Sequence, residues 1–159
     1  MRRWLKRVFL GGFVLLVLIQ FVPYGRDHDN PPVSAEPAWP SARVRELAER
    51  ACFDCHSHAT RWPWYSHVAP MSWLVARDVK EGRKQLNVST WDRPQRHAHA
   101  ADEELEQGEM PPWFYLPLHA EARLSDAEKA ELIAGLKALP APPEGGGSGP
   151  RGEDDDSRR

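Results

Sequence analysis

The pentapeptide Cys52-Phe53-Asp54-Cys55-His56 determines what this chain has to fold around. Two cysteines three residues apart, with a histidine directly after the second, form the attachment signature of a c-type haem. Residues three and four apart lie on one face of a helical turn, so all three side chains can point at one flat group. The pattern therefore predicts one haem c per chain, bound covalently through Cys52 and Cys55, with His56 as an iron ligand.

Other roles for a CxxC pair have less support in the rest of the sequence. A thioredoxin-type redox pair is expected beside a βαβ pattern, which the sequence does not contain. A zinc site would need further ligands, such as His58 or the pair His97 and His99, whose spacing fits no common finger pattern. A disulfide across so short a loop would remove little entropy from the unfolded chain. These are the alternatives to haem attachment.

Residues 1–25 predict an N-terminal membrane anchor. Four basic residues and no acid precede Val8, and the apolar run that follows reaches Val22 with one interruption, Gln20. Counted from Trp4 to Tyr24, the segment would form about 31 Å of helix, enough for a hydrocarbon core of about 30 Å. The basic flank predicts a single-pass protein of the bacterial inner membrane whose domain faces the periplasm. A cleaved signal peptide is the alternative, and it also exports the domain.

Three segments follow the predicted anchor. Residues 26–40 are rich in proline, aspartate and asparagine, which indicates a linker without regular structure. Residues 41–139 have the length of one domain, which we expect to hold the haem. Residues 140–159 are rich in proline, glycine and aspartate and predict a disordered tail.

The charge pattern argues against binding to nucleic acid. The formal net charge is −2, and the basic cluster at the N-terminus indicates membrane topology instead of forming part of a basic, aromatic face. The apolar content of 41% includes the N-terminal run, so the remaining core is lean. A buried haem would supply much of the missing apolar surface.

The soluble domain is predicted to be all-α and wrapped around the haem. Its helices are indicated by capping residues, by early prolines and by apolar stripes of helical period. No segment alternates convincingly between apolar and polar residues, so strands should be absent or trivial. The predicted helices run from Ser41 to about Phe53, from Pro70 to about Leu86, from Asp92 to near Gly108, and onward from the capping box Ser125-Asp126-Ala127-Glu128.

The second iron ligand is predicted to be Met110, in the segment Gly108-Glu109-Met110-Pro111-Pro112. A thioether is a soft ligand that suits haem iron and raises its reduction potential. The two prolines restrict the backbone, so the loop has little freedom to lose when it binds. Met71 begins a helix, where we expect it to pack. The histidine alternatives are His119, His97, His99 and His67.

The segment Arg61-Trp62-Pro63-Trp64-Tyr65-Ser66 follows closely on the haem motif. Arg61, or an indole N–H of Trp62 or Trp64, can meet a haem propionate, although tryptophans at this density also commonly fill a core. A backbone carbonyl of Pro63 or Pro70 is a candidate acceptor for the Nδ1–H of the ligand histidine.

Much of residues 41–139 resembles the bacterial family described as a haem-binding domain, and the last helix resembles the closing helix of class I cytochromes c. The resemblance implies a small cytochrome c-like domain with haem attached at Cys52 and Cys55 and iron bound by His56, and it extends to Met110. The similar blocks are Cys52 to His56, His58 to Ser66, Ala69 to Trp73, Asp78 to Arg83, and Gly108 to Pro112.

We expect a one-electron carrier and not an enzyme. A six-coordinate iron is closed to small ligands, and its coordination changes little on reduction, which suits electron transfer. A helix held in the bilayer would confine the domain to redox partner proteins near the membrane. A haem-based gas or redox sensor is one alternative and needs a weak or absent sixth ligand. A peroxidase-like accessory domain is another and needs an open distal side.

Overall fold

A computed structural model describes residues 2–143, and these residues form an all-helical protein. Within them the β pairing is limited to one isolated bridge between Ala35 and Thr90. The prediction of an all-α fold is confirmed, whereas most of the predicted tail lies outside the described residues. The helices are α1 (Arg2–Ile19), α2 (Ala42–Ala51), α3 (Phe53–His56), α4 (Met71–Gln85), α5 (Ala101–Gln107) and α6 (Asp126–Lys137), with short 3-10 turns at Trp64–His67, Ala98–Ala100 and Ala120–Ala122.

Helix α1 contains the apolar N-terminal run, and none of its residues is buried. No helix within residues 2–143 is long and apolar enough to cross a bilayer. The helix ends at Ile19, and four of its first six residues are cationic, so the apolar part Val8–Ile19 rises only about 18 Å. The predicted membrane-spanning helix over Trp4–Tyr24 is therefore not supported.

Helix α2 begins where its capping residue predicts. The Ser41 hydroxyl accepts a hydrogen bond from the amide of Val44 at 3.1 Å, which satisfies one free donor of the first turn. The helix ends at Ala51, because Cys52 has a φ of −124° that breaks the helical geometry. The chain then re-enters a single helical turn, α3. The predicted helix from Ser41 is thus confirmed up to the first cysteine.

The core lies where α2 packs against α6, with α5 alongside. Leu47 and Leu132 are completely buried there. The two helices approach closely at Gly135, where an added Cβ would collide with the Val44 side chain. The other core residues are Ala48, Phe53, Val88, Trp91 and Leu105.

Helices α4 and α6 match their predicted starts. Pro70 is the N-cap of α4, and Leu86 is its C-cap. Both bonds of the predicted capping box are present in α6, where Ser125 and Glu128 bond reciprocally. Glu128 also accepts bonds from the α2 residues Arg43 and Arg50 at 2.8 and 2.7 Å, which joins the start of α6 to α2.

The predicted third helix is wrong over its first half. Asp92 does not cap a helix, because its carboxylate accepts a bond from the Ser34 hydroxyl at 2.6 Å. The Gln95 side chain then bonds to the backbone of Thr90 at 2.8 Å, which holds the segment in turns. Only α5 is helical. Its predicted end is confirmed at Gly108, whose φ of 78° is left-handed.

Candidate haem-binding site

Cys52 is the N-cap of the single turn α3, which contains the rest of the haem motif and packs against α4. The amide of His56 donates to the Cys52 carbonyl at 2.9 Å and closes the turn. Both cysteines are free thiols. Burial raises the pKa of Cys52 to about 12 and that of Cys55 to about 11, and the neighbouring thiol and carboxylates add to these shifts. The structure therefore holds two protonated thiols beside a histidine on one turn.

The ring of His56 is oriented by two carbonyl groups at the end of α4. Its Nδ1 lies 3.0 Å from the Gly82 oxygen and 3.1 Å from the Leu86 oxygen. Both contacts require the proton on Nδ1, so the Nε2 lone pair stays available for a metal. Burial also lowers the pKa of His56 and favours the neutral ring.

These acceptors correct the prediction that Pro63 or Pro70 would orient the ring. The Gly82 oxygen also accepts the bond from the amide of the C-cap residue Leu86 at 3.0 Å, and α3 brings the His56 ring to this oxygen and to that of Leu86. The close approach depends on Gly82, because an added Cβ at that position would lie 2.5 Å from the Cys55 carbonyl oxygen. An isolated glycine within a predicted helix was the one sequence signal that could have indicated this contact.

Asp54, between the two cysteines, is buried and fully engaged. It is 9% exposed and accepts bonds from the backbone amide of Arg61 at 2.9 Å and from its Nε at 3.2 Å. The Tyr115 hydroxyl donates to the other carboxylate oxygen at 2.7 Å. Hydrogen-bonded partners of this kind offset the cost of burying a carboxylate. No sequence motif indicates this network, and Tyr115 lies 61 residues from Asp54.

The Tyr115 bond holds the segment that follows Met110 against the cysteine turn. The Tyr115 ring stacks on His119 with centroids 3.6 Å apart. His119 Nδ1 donates to the Tyr115 carbonyl at 2.9 Å, and its Nε2 accepts from the Tyr65 hydroxyl at 3.2 Å. Burial and the bond to Asp54 raise the pKa of Tyr115, so its hydroxyl stays protonated and remains a donor.

Two adjoining cavities open beside this cluster. The smaller, about 50 Å³, reaches Cys55 and Val79. The larger, about 560 Å³, is lined in part by Trp64, Met71 and Leu118 and falls within the usual range of about 300–1,000 Å³ for ligand sites. The residues common to both cavities are Asp54, Arg61, Pro63, Tyr65 and His119.

Only some of the residues predicted to contact the haem line these cavities. Cys55 lines the smaller one, Trp64 the larger, and Arg61 both. Trp62 instead stacks on His28 with centroids 4.6 Å apart, and its buried Nε1 meets no partner within residues 2–143. The residues predicted to contact haem that line neither cavity are Cys52, His56, Trp62 and Met110.

The candidates for the second iron ligand differ in position. Met110 is 39% exposed, and its amide lies 3.3 Å from the Glu104 carbonyl. Among the histidine alternatives, His119 lines both cavities. The other three, His67, His97 and His99, are exposed. The expectation that Met71 packs is wrong, because it is 37% exposed at the rim of the larger cavity.

A zinc site receives no support from the described part of the chain. Residues 2–143 hold no group of three or more histidine, cysteine, aspartate or glutamate side chains placed to bind a metal ion. Both ring nitrogens of His58 are already bonded, to the Pro32 carbonyl at 3.0 Å and to the Asn87 amide at 2.9 Å. A haem suits the donors that are present, since two thiols and an imidazole with a free Nε2 lie on one turn. Cys55 lines the cavity of about 50 Å³, which shares five lining residues with the cavity of about 560 Å³.

Comparison with known proteins agrees with this chemistry. The family described as "Haem-binding domain" matches the chain over residues 14–138. Cytochrome c peroxidase Ccp of Escherichia coli strain K12 is 30% identical over 100 residues, a match that covers 55% of this chain and 21% of that protein. The chain thus spans about a fifth of the length of this curated relative. No solved structure is significantly similar to the chain.

Proposed function

This chain belongs to the haem-binding domain family, and from that premise we propose that it carries one covalently attached haem c and transfers single electrons on the periplasmic side of the bacterial inner membrane. The observation that carries the proposal is the orientation of His56. Two carbonyls fix its Nδ1–H and leave Nε2 for iron, on the same turn as two thiols.

The side chains of α3 have separate roles in this proposal. Cys52 and Cys55 would hold the haem covalently through thioether bonds. His56 would bind the iron through Nε2, and Met110 would be the second protein ligand. When bound, the haem supplies a one-electron iron couple.

The surrounding residues would orient and shield the group. Arg61 lines both cavities and half of its side chain is exposed, which supports the proposal that this cation, already paired with Asp54, also meets a propionate. Trp62 has a buried indole N–H that would suit the same role, and Trp64 forms one wall of the larger cavity. The bond from Tyr115 to Asp54 keeps the Met110 loop against the cysteine turn and would exclude water.

The proposed location depends on the N-terminal segment. Helix α1 exposes large apolar side chains along its whole length and begins with basic residues. We propose that α1 contacts the lipid bilayer and that the domain exchanges electrons with redox partner proteins near the membrane. Nucleic acid is not among the proposed partners.

The proposal is tested with protein matured in a bacterial host that has a haem-attachment system. We expect haem staining that survives a denaturing gel and a low-spin c-type spectrum in both oxidation states. The Cys52→Ser, Cys55→Ser double variant is the control and should lose the stain. An unstained wild-type chain from a host that loads another c-type cytochrome would refute covalent attachment.

A haem-based sensor or a peroxidase-like accessory domain is the second candidate. It is favoured by the position of His119 and Tyr65 on the larger cavity, and by the name of the Escherichia coli relative. Carbon monoxide added to the reduced protein at neutral pH separates the two candidates. Ready binding would favour the sensor or peroxidase, and failure to bind would favour the carrier.

A further inference from the structure

We infer that the haem domain lies directly on a lipid surface through one face, formed by Trp64, Val68, Met71 and Leu74, which we call the lipid face. This inference deepens the proposed membrane location, on which it rests. Three observations support it, and each concerns the junction between α1 and α4.

The first observation is that the end of α1 is bonded to the start of α4. The Gln20 side-chain amide donates to the Ala69 carbonyl at 2.9 Å, and the Ala69 amide donates back to the Gln20 oxygen at 3.0 Å. The Ser72 hydroxyl contacts the Tyr24 carbonyl at 3.4 Å. Gly25 packs so closely that an added Cβ would collide with the Ser72 backbone. These contacts fix α1 relative to the domain.

The linker reinforces this arrangement, because it lies along the domain. The Asn30 side chain donates to the Thr60 carbonyl at 2.9 Å, and Arg83 donates to the Asp29 carbonyl at 2.9 Å. The segment that follows α1 is thus bonded to the same body that holds the cysteine turn. Its path leaves little freedom for the domain to move away from α1.

The second observation is an exposed apolar surface beside this junction. Met71 and Leu74 lie three residues apart on one face of the first turn of α4, and Val68, in extended backbone, directly precedes Ala69. Val68 is 44% exposed and Leu74 is 42% exposed, and both lie outside the two cavities, so a haem there would not cover them. Trp64 and Met71 extend the lipid face to the rim of the larger cavity.

The third observation identifies lipid as the occupant. Helix α1 exposes apolar side chains on all sides, and such a helix requires apolar surroundings on all sides. The lipid face is continuous with the bonded end of this helix, so the two meet the same medium. Trp64 has the amphipathic ring that favours a membrane–water boundary, and Arg77, exposed one turn after Leu74, suits anionic headgroups.

The arrangement also has a consequence for the haem site. Because Trp64 and Met71 belong to both the lipid face and the larger cavity, one rim of that cavity adjoins the membrane surface. The redox partner should therefore reach the site within, or at the surface of, the same membrane.

The experiment uses the haem-loaded full-length chain, in which Cys52 and Cys55 are consumed by thioethers. A new cysteine is introduced as Val68→Cys or Leu74→Cys, with Glu131→Cys on the exposed side of α6 as the control. Each is labelled with an environment-sensitive fluorophore and mixed with phosphatidylcholine–phosphatidylglycerol vesicles, with or without spin-labelled lipid. We expect the spin label to quench positions 68 and 74 at least twofold more than position 131.

The bonded junction is tested by adding Gln20→Ala to the labelled variants. Helix α1 keeps its apolar surface, so the protein should still bind vesicles, but the excess quenching at position 68 should fall. Equal quenching at positions 68, 74 and 131, or no binding to vesicles, would overturn the inference. It would also be overturned if the labels were shielded only in native membranes, because the occupant would then be a protein. Spectra of the same samples report separately on the haem proposal.

Discussion

Replacing Gly82 with alanine should move the haem-binding turn away from α4. The new Cβ would lie 2.5 Å from the Cys55 carbonyl oxygen and 3.0 Å from its Cβ, and the backbone atoms cannot swing aside. Overpacking of this kind costs about 1–3 kcal/mol, and alanine returns about 1 kcal/mol through its higher helix propensity. Weakening the bond from His56 to the Gly82 carbonyl adds about 0.5–1.5 kcal/mol.

The expected net loss is about 2 kcal/mol, which corresponds to a fall in melting temperature of about 8 °C for a chain of this size. The reduction potential should rise in the same variant. A weaker bond at Nδ1 makes the imidazole a poorer electron donor, and this destabilises the oxidised iron. Thermal unfolding followed by circular dichroism and a spectroscopic redox titration measure the two effects.

Gly12→Ala provides the matched control, because no atom lies within 4 Å of the Cβ that it would add. Because Gly12 also lies inside a helix, this variant gains the same helix propensity without the collision, so it should not lower the melting temperature and should leave the potential unchanged. If Gly82→Ala behaved like Gly12→Ala, the close packing of α3 on α4 and its role in orienting His56 would be refuted.

Three further predictions concern the second ligand, the buried network and the capping box. Met110→Ala should lower the reduction potential and remove the far-red sulfur-to-iron band of the oxidised protein, and an unchanged spectrum would exclude Met110 as ligand. Tyr115→Phe removes the bond to Asp54 and should cost about 1.5–3 kcal/mol in chemical denaturation, whereas a loss below the experimental error would argue against the network. The backbone bond from Ser125 and the Arg50 side chain lower the pKa of Glu128 from 4.5 to about 2, so its stabilisation is complete above about pH 4.5 and is lost as the pH falls towards 2. In Glu128→Gln, the free energy of unfolding should fall less steeply between about pH 4.5 and 2. The same steep fall as in the wild type would contradict the role given to Glu128.

The parts of the fold that were predicted correctly depend on short-range chemistry. Ser41 and Ser125 bond to amides three residues away, so a few letters of sequence contain the whole interaction. Asp92 looked like a cap by the same rule, yet its partner Ser34 is 58 residues away. No local pattern can show that a distant hydroxyl will compete for the carboxylate.

In the candidate site, too, the short-range features were predictable and the long-range contacts were not. Spacing alone places Cys52, Cys55 and His56 on one turn, and the structure has that turn. The groups that orient His56 are backbone carbonyls, which every residue possesses, and the Gly82 carbonyl is 26 residues away in sequence. The position of these carbonyls depends on how α3 packs against α4. The only sign of this packing in the sequence is Gly82, which allows the close approach.

Helix α4 connects the junction with α1 to the turn that carries His56, and its length has a consequence of its own. Ser72 contacts the segment after α1, and the Gly82 carbonyl holds the ring of His56. Ten residues separate them, about 15 Å along the axis. Because a helix is stiff over this length, α4 fixes the distance between the His56 ring and the α1 junction. In the proposed role, the haem site would stay at a fixed distance from the α1 junction and would suit only partners whose own redox centre lies at a matching level.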